Sequence, residues 1–119
     1  KYEYLVELNI EIIKFLFNKL KIKTKTLFSS ELHISDKGSN RILEICKILN
    51  ADRYISGISG KKYLLIDDFE RQKIKLEFQN FQHPTYEQVF DPFYPNMAMI
   101  DLLFNEGDNA LKIIKKGND

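Results

Sequence analysis

Lys73-Ile74-Lys75-Leu76-Glu77-Phe78 alternates charged and apolar residues without a break. That is the period of a strand with one face on a core and one in water. Upstream, Arg53-Tyr54-Ile55-Ser56 reads as another strand, ending at once in Gly57-Ile58-Ser59-Gly60-Lys61-Lys62. Between the two, Tyr63 to Arg71 reads as a helix, although Leu64-Leu65-Ile66 also suits an extended chain. Earlier still, Lys23-Thr24-Lys25-Thr26-Leu27-Phe28 has the threonines and the alternation of a strand with one exposed face. Ser39 is placed to cap a short helix from Arg41 to Leu49. Strands separated by helices pair in parallel through right-handed crossovers. The expected fold is therefore a single α/β domain over 1–119. It has a small, mostly parallel three-stranded sheet flanked by helices, in a Rossmann-like three-layer arrangement.

The remaining segments fit around that sheet. Tyr2 to Leu20 is an amphipathic helix with Leu5, Leu8, Ile12, Ile13, Leu16 and Leu20 on one stripe. Phe78 to Pro95 holds all three prolines and six aromatics, which excludes one long helix or an inner strand. It reads as an ordered loop. Met97 to Glu106 is a helix with Asn96 as cap and Gly107 as stop. Ala110 to Lys116 is a last helix, and Gly117-Asn118-Asp119 is expected to fray.

Composition excludes several classes of function. Lys plus Arg is 18 against 17 for Asp plus Glu, which gives no electrostatic case for nucleic acid or an anionic membrane. No apolar run reaches membrane-spanning length. Cys46 is the single cysteine, so neither a disulfide framework nor a cysteine-rich metal site is expected. It lies on an apolar helix face and reads as a core residue. A reducing, cytoplasmic setting fits. The two histidines, His33 and His83, lack the close spacing of a zinc pair. Asp67-Asp68 reads as a solvated pair or a helix start.

In parallel sheets, ligands bind beyond the carboxyl ends of the strands. That rule gathers Ser29, Ser30 and Glu31, then Ser56, Gly57, Ser59 and Gly60, then Gln79 and the loop carrying His83. The glycine turn offers backbone N–H groups to an anion, or it is a tight turn with no ligand. Either way, Gly57 or Gly60 is expected at positive φ. His83 is a candidate general base oriented by Asp101 or Glu87, or else a histidine held for structure. A turn with Pro84 in its second position would bring His83 and Tyr86 together, lining a cleft with the Ser56–Gly60 turn. No residue pattern names a cofactor.

Taken in order, several segments form a series. They are Ser29-Ser30-Glu31-Leu32, Arg41 to Lys47, Tyr54-Ile55-Ser56-Gly57 with Gly60, Phe81-Gln82-His83-Pro84 with Tyr86 and Gln88, and Ile100 to Asn105 with Gly107. The series resembles the WbqC-like protein family over nearly the whole chain, most specifically around His83 and Asp101. The resemblance implies bacterial O-antigen, lipopolysaccharide or related polysaccharide biosynthesis, with a suggested glycyl or acyl transfer to an amino sugar. On that reading His83 and Asp101 are catalytic, and Ser30, Ser56, Gly57, Gly60, Tyr86 and Gln88 bind substrate, for instance a nucleotide-linked amino sugar. The family's N-terminal half carries a Gln-Pro-x-Tyr-x-Pro-Trp-like motif that has no counterpart in these residues. The chain therefore looks like a C-terminal half. The alternative is a non-catalytic sugar- or nucleotide-binding module that completes a site with that N-terminal half.

Overall fold

The computed structural model describes residues 2–117, so the expected fraying of Asn118 and Asp119 lies outside the described residues. The chain divides into two compact units. One is Thr26–Asn80; the other joins the chain up to Lys25 with the chain from Phe81 onward.

The alternating strand organises the first unit. β1 (Arg53–Gly57) and β2 (Lys75–Gln79) pair in parallel, with Arg53 opposite Lys75 and Gly57 opposite Gln79. The return path carries a 3-10 turn (Ile58–Lys62) and then a short helix, here α3 (Ile66–Arg71), as the parallel pairing requires. Before β1 comes α2 (Gly38–Ile48). Leu43 and Cys46 of α2 meet Leu64, Phe69 and Ile74 in one core, with Tyr54, Leu76 and Phe78 packed on it from the sheet. Phe69 is fully buried and stacks on Tyr54 with ring centroids 5.8 Å apart. Cys46 is a core residue, and burial pushes its thiol up from the ordinary value.

Three expectations are corrected. Among the described residues the sheet has two strands, not three, so helices with a small parallel pair replace the Rossmann-like three-layer arrangement. Residues 23–28 form no strand. Lys23, Thr24, Lys25 and Thr26 are all exposed and Leu27 and Phe28 nearly half so, which leaves no apolar face to fix a register. Ser39 does not cap α2 from outside. It lies buried inside the helix, and its Oγ accepts the Leu65 N–H at 2.9 Å, tying α2 to the approach to α3.

Neither Gly57 nor Gly60 has positive φ; Gly57 is extended at φ −64°, ψ 160°. The turn reverses through 3-10 geometry, which any residue adopts. Gly60 is needed for another reason. A Cβ there would collide with Ser56 Oγ and press on Leu64, whereas one at Gly57 would meet open space.

The second unit contains α1 (Leu5–Lys19), α4 (Met99–Glu106) and α5 (Ala110–Lys116). Leu20, Leu102, Ala110 and Ile113 form its buried centre, with Ile22, Tyr86, Met99, Leu103, Leu111 and Ile114 around them. Glu7 accepts the Glu3 and Tyr4 N–H groups at the start of α1. The α1 stripe is inward only at its end. Leu20 is buried and Leu16 half-buried, but Leu5, Leu8, Ile12 and Ile13 are exposed. α4 begins at Met99, and Asn96 is not its cap. Gly107 ends α4 with φ 51°, the left-handed geometry that favours glycine.

Gly60→Ala is expected to cost about 1–3 kcal/mol through overpacking against Ser56, and Gly57→Ala to be nearly neutral. Paired thermal melts of the two variants check this; equal losses would refute the steric account.

Candidate functional site

Residues 80–98 have no helix or strand, so their polar groups need other partners. Side chains supply them. Gln88 faces Tyr94 at both ends of its amide: Oε1 accepts the Tyr94 N–H at 2.8 Å and Nε2 donates to the Tyr94 carbonyl at 3.0 Å. Asn105 on α4 accepts the Val89 N–H at 3.2 Å and donates to the Asp101 carbonyl at 2.8 Å. Glu106 accepts the Glu87 N–H at 3.2 Å. His83 Nε2 accepts the Asn96 N–H at 3.1 Å.

The Asn96 contact explains why that residue, with φ 61°, serves the loop instead of capping α4. It also fixes the imidazole tautomer, because an accepting Nε2 leaves the proton on Nδ1. Nδ1 is buried and has no partner among the described residues. The ring packs near Tyr86 and Phe93, with centroids 6.3 and 6.2 Å away, and Tyr86 meets Phe93 edge-on at 5.4 Å. His83 and Tyr86 therefore do come together.

Asp101, in the first turn of α4, is the other centre. Its Oδ2 accepts the Tyr86 hydroxyl at 2.7 Å and Gln88 Nε2 at 3.2 Å. Burial first, and then the hydrogen bond to Asp101, push the Tyr86 hydroxyl above its ordinary value, so it remains the donor. Among the described residues neither Asp101 nor Glu87 bonds the His83 ring. Asp101 instead faces a cleft of about 340 Å³ shared with Gln88, Val89, Phe90, Tyr94, Phe104 and Asn105. That volume falls in the range of small-molecule sites. A smaller hollow of about 180 Å³ lies by His83, Pro84, Tyr86 and Met99.

The structure thus gathers His83, Tyr86, Gln88 and Asp101 in one unit. Ser30, Ser56, Gly57 and Gly60 belong to the other. Ser30 is exposed in a 3-10 turn (Ser29–Leu32). Ser56 is buried, and its hydroxyl donates to the Gly57 carbonyl at 3.1 Å. Arg41 holds this region by donating to the Ile34 and Ser29 carbonyls at 2.6 and 3.2 Å. In the sequence Asn105 stands out only as part of the series Ile100 to Asn105, with no role of its own. Its spacing four residues after Asp101, on one helix face, was the available signal. Among the described residues no group of three His, Cys, Asp or Glu side chains is placed to hold a metal ion, and no helix is long and apolar enough to cross a membrane.

The description "WbqC-like protein family" attaches to a family profile that matches residues 1–113. The chain belongs to the WbqC-like protein family. The uncharacterized protein Rv1507c of Mycobacterium tuberculosis is 27% identical over 104 residues, which cover 87% of this chain and 45% of that protein. The chain therefore spans less than half the length of this curated relative. No solved structure matches the chain significantly. The family match includes both His83 and Asp101, so the loop and α4 sit within the shared region.

Replacing Tyr86 with Phe tests the bond to Asp101. A group whose folded value is raised contributes stability that is present below its unfolded value, near 10, and is lost as pH rises through the folded value. Tyr86→Phe should therefore lower the Tm at neutral pH, and the gap to the parent should close in strong alkali. An alkaline difference titration should place Tyr86 ionisation above that of a free tyrosine. Ionisation at or below the ordinary value would remove the donor role.

Proposed function

We propose that this chain is an enzyme domain of bacterial cell-surface polysaccharide biosynthesis that transfers an acyl or glycyl group to an amino sugar held in the Asp101 cleft. The observation that carries the reading is the Asp101 carboxylate, fixed through one oxygen by Tyr86 and Gln88 at the wall of a cleft with exposed aromatics. Sugars present hydroxyl or amine donors on their rims and C–H faces above and below the ring. A fixed carboxylate, the Gln88 and Asn105 amides and the rings of Phe90, Tyr94 and Phe104 suit both. Asp101 would take the proton that the sugar amine sheds as its nitrogen bonds the acyl carbon, while the donor's carrier leaves with its electron pair. His83, whose Nε2 already accepts from Asn96, would hold the 93–97 turn and so position the cleft wall. Ser30 and Gly57 stand exposed on the other unit and have no part in the sugar reading of the Asp101 cleft. Ser56 and Gly60 would shape the turn after β1. The family membership supports the reading, and a cytoplasmic setting fits it.

A second reading is a non-catalytic sugar-binding module that completes a site with an N-terminal half. The engaged His83 lone pair is compatible with both readings, since neither uses an imidazole base.

The test is binding of UDP-linked and free amino sugars, followed by mass spectrometry of the sugar after incubation with activated acyl and aminoacyl donors. Asp101→Asn is expected to weaken binding at least about tenfold, the loss typical of a hydrogen bond to a charged group, with the fold retained. A mass gain on the sugar supports the enzyme. Binding with no mass gain supports the module. No binding of any amino sugar overturns both.

A further inference from the structure

His83 Nε2 accepts the Asn96 N–H at 3.1 Å, and Nδ1 is buried with no partner among the described residues. Only a neutral ring can make that contact. A protonated imidazole carries N–H at both nitrogens and has no lone pair to offer. Its Nε2–H would then face the Asn96 N–H, donor against donor. The contact also holds a residue that needs holding. Asn96 sits at φ 61°, a left-handed geometry that persists where the surrounding structure fixes it.

Among the described residues no charge is placed to take up a proton's charge from the ring. Besides His83 and Tyr86, the walls of the hollow beside it are apolar, Phe81, Pro84, Met97 and Met99 among them, and none titrates. The Tyr86 ring stands 6.3 Å from the imidazole and Phe93 6.2 Å. The Tyr86 hydroxyl donates to Asp101 Oδ2, and neither group bonds the imidazole. Glu106 of α4 is engaged by the Glu87 N–H. The side chains of Glu87 and Asp91 in the loop, Lys21 beyond α1, and Lys112 and Lys115 of α5 are exposed and line no part of the hollow.

Losing the contact would act on the cleft through one side chain. Met97, next to Asn96, lines both the hollow beside His83 and the Asp101 cleft. The segment around it is anchored on either side. Gln88 holds the Tyr94 N–H and carbonyl, and Ala98 is tied to α4 by accepting the Asp101 N–H at 2.9 Å. Between those anchors the His83 contact fixes residues 95–97. Met97 is half exposed, and its unbranched thioether side chain moves easily once its backbone does.

We propose that His83 is an acid-sensitive latch on the Asp101 cleft: the neutral ring holds residues 95–97 in place, and protonation frees them and with them Met97, the wall that cleft and hollow share. The latch rests on the reading of His83 as the residue that holds the 93–97 turn, and it needs no sugar in the cleft.

The test is NMR of the full chain from about pH 8 to about pH 5, which brackets the ordinary histidine value of about 6.5. At the alkaline end the ring nitrogens should report a proton on Nδ1 and none on Nε2. On acidification the Asn96 amide and Met97 methyl signals should shift together with the His83 ring, on one midpoint. The exposed His33, on the other unit, is the internal control: His33→Gln should leave that shared titration unchanged. His83→Gln supplies an acceptor that does not titrate, and it should make the Asn96 and Met97 signals independent of pH over the same range. A His83 ring that titrates while Asn96 and Met97 stay fixed overturns the latch. So does a proton on Nε2 at the alkaline end, a ring still neutral at about pH 5, or an undiminished pH response in His83→Gln. These readouts need no ligand, so failure of the latch and failure of the sugar reading are separate results.

Discussion

The Gln88 side chain is what residues 80–98 depend on. A segment without helix or strand has to satisfy its backbone groups elsewhere, and Gln88 satisfies both polar groups of Tyr94 while reaching Asp101 with the same amide. The clamp fixes the Tyr94 backbone and also an Asp101 carboxylate oxygen. The polar wall of the cleft and the shape of the loop are therefore one network. Such networks are worth more than their separate bonds, and a partly satisfied one is costly. A sequence that keeps glutamine here keeps the loop's conformation and the carboxylate's direction together.

The legible parts of the fold were those where local pattern and burial agree. β2 was readable because Ile74, Leu76 and Phe78 alternate with lysines and glutamate, and those three do meet the core. Parallel pairing with β1 followed from the intervening helical segment, and α4 with its Gly107 stop followed from periodicity and turn chemistry. Residues 23–28 alternate as well, but between lysine and threonine, and neither set has an apolar face to bury. Alternation without a buried face does not specify a strand. The glycine turn was misread for a related reason. Sequence suggests a glycine for its backbone freedom, whereas Gly60 is there for the absence of its Cβ beside Ser56. That constraint exists only in three dimensions.

The candidate site was half legible. His83, Tyr86, Gln88 and Asp101 were all singled out, but their pairing was not. Asp101 was expected beside the histidine as its orienter; it bonds Tyr86 and Gln88 instead. Sequence separation carries no information about which of two nearby donors a carboxylate takes. Asn96 shows the same limit: asparagine before a helical pattern suggests a cap, yet its N–H serves His83. The strand-end rule gathered Ser30 and the Ser56–Gly60 turn with the histidine loop on the premise of one three-stranded sheet. With two strands among the described residues, that premise is gone.

The electrostatics of Asp101 follow from which neighbour holds a proton. Burial and the carboxylate both keep the Tyr86 hydroxyl protonated, so tyrosine donates and Asp101 Oδ2 accepts. Gln88 Nε2 donates to the same oxygen, so Oδ2 carries both protein contacts, and Oδ1 takes no protein hydrogen bond among the described residues. A carboxylate held by one oxygen is oriented without being used up. Its second oxygen keeps full capacity for a donor arriving from the cleft, with the positional restraint that makes a fixed carboxylate more effective than a mobile one. Asn105 reinforces this from behind by holding the Asp101 carbonyl and Val89 N–H, so helix and loop converge on the residue from opposite sides. The same geometry shows why an imidazole is not needed to orient this acid: a neutral phenol and an amide do so without adding a second titrating charge.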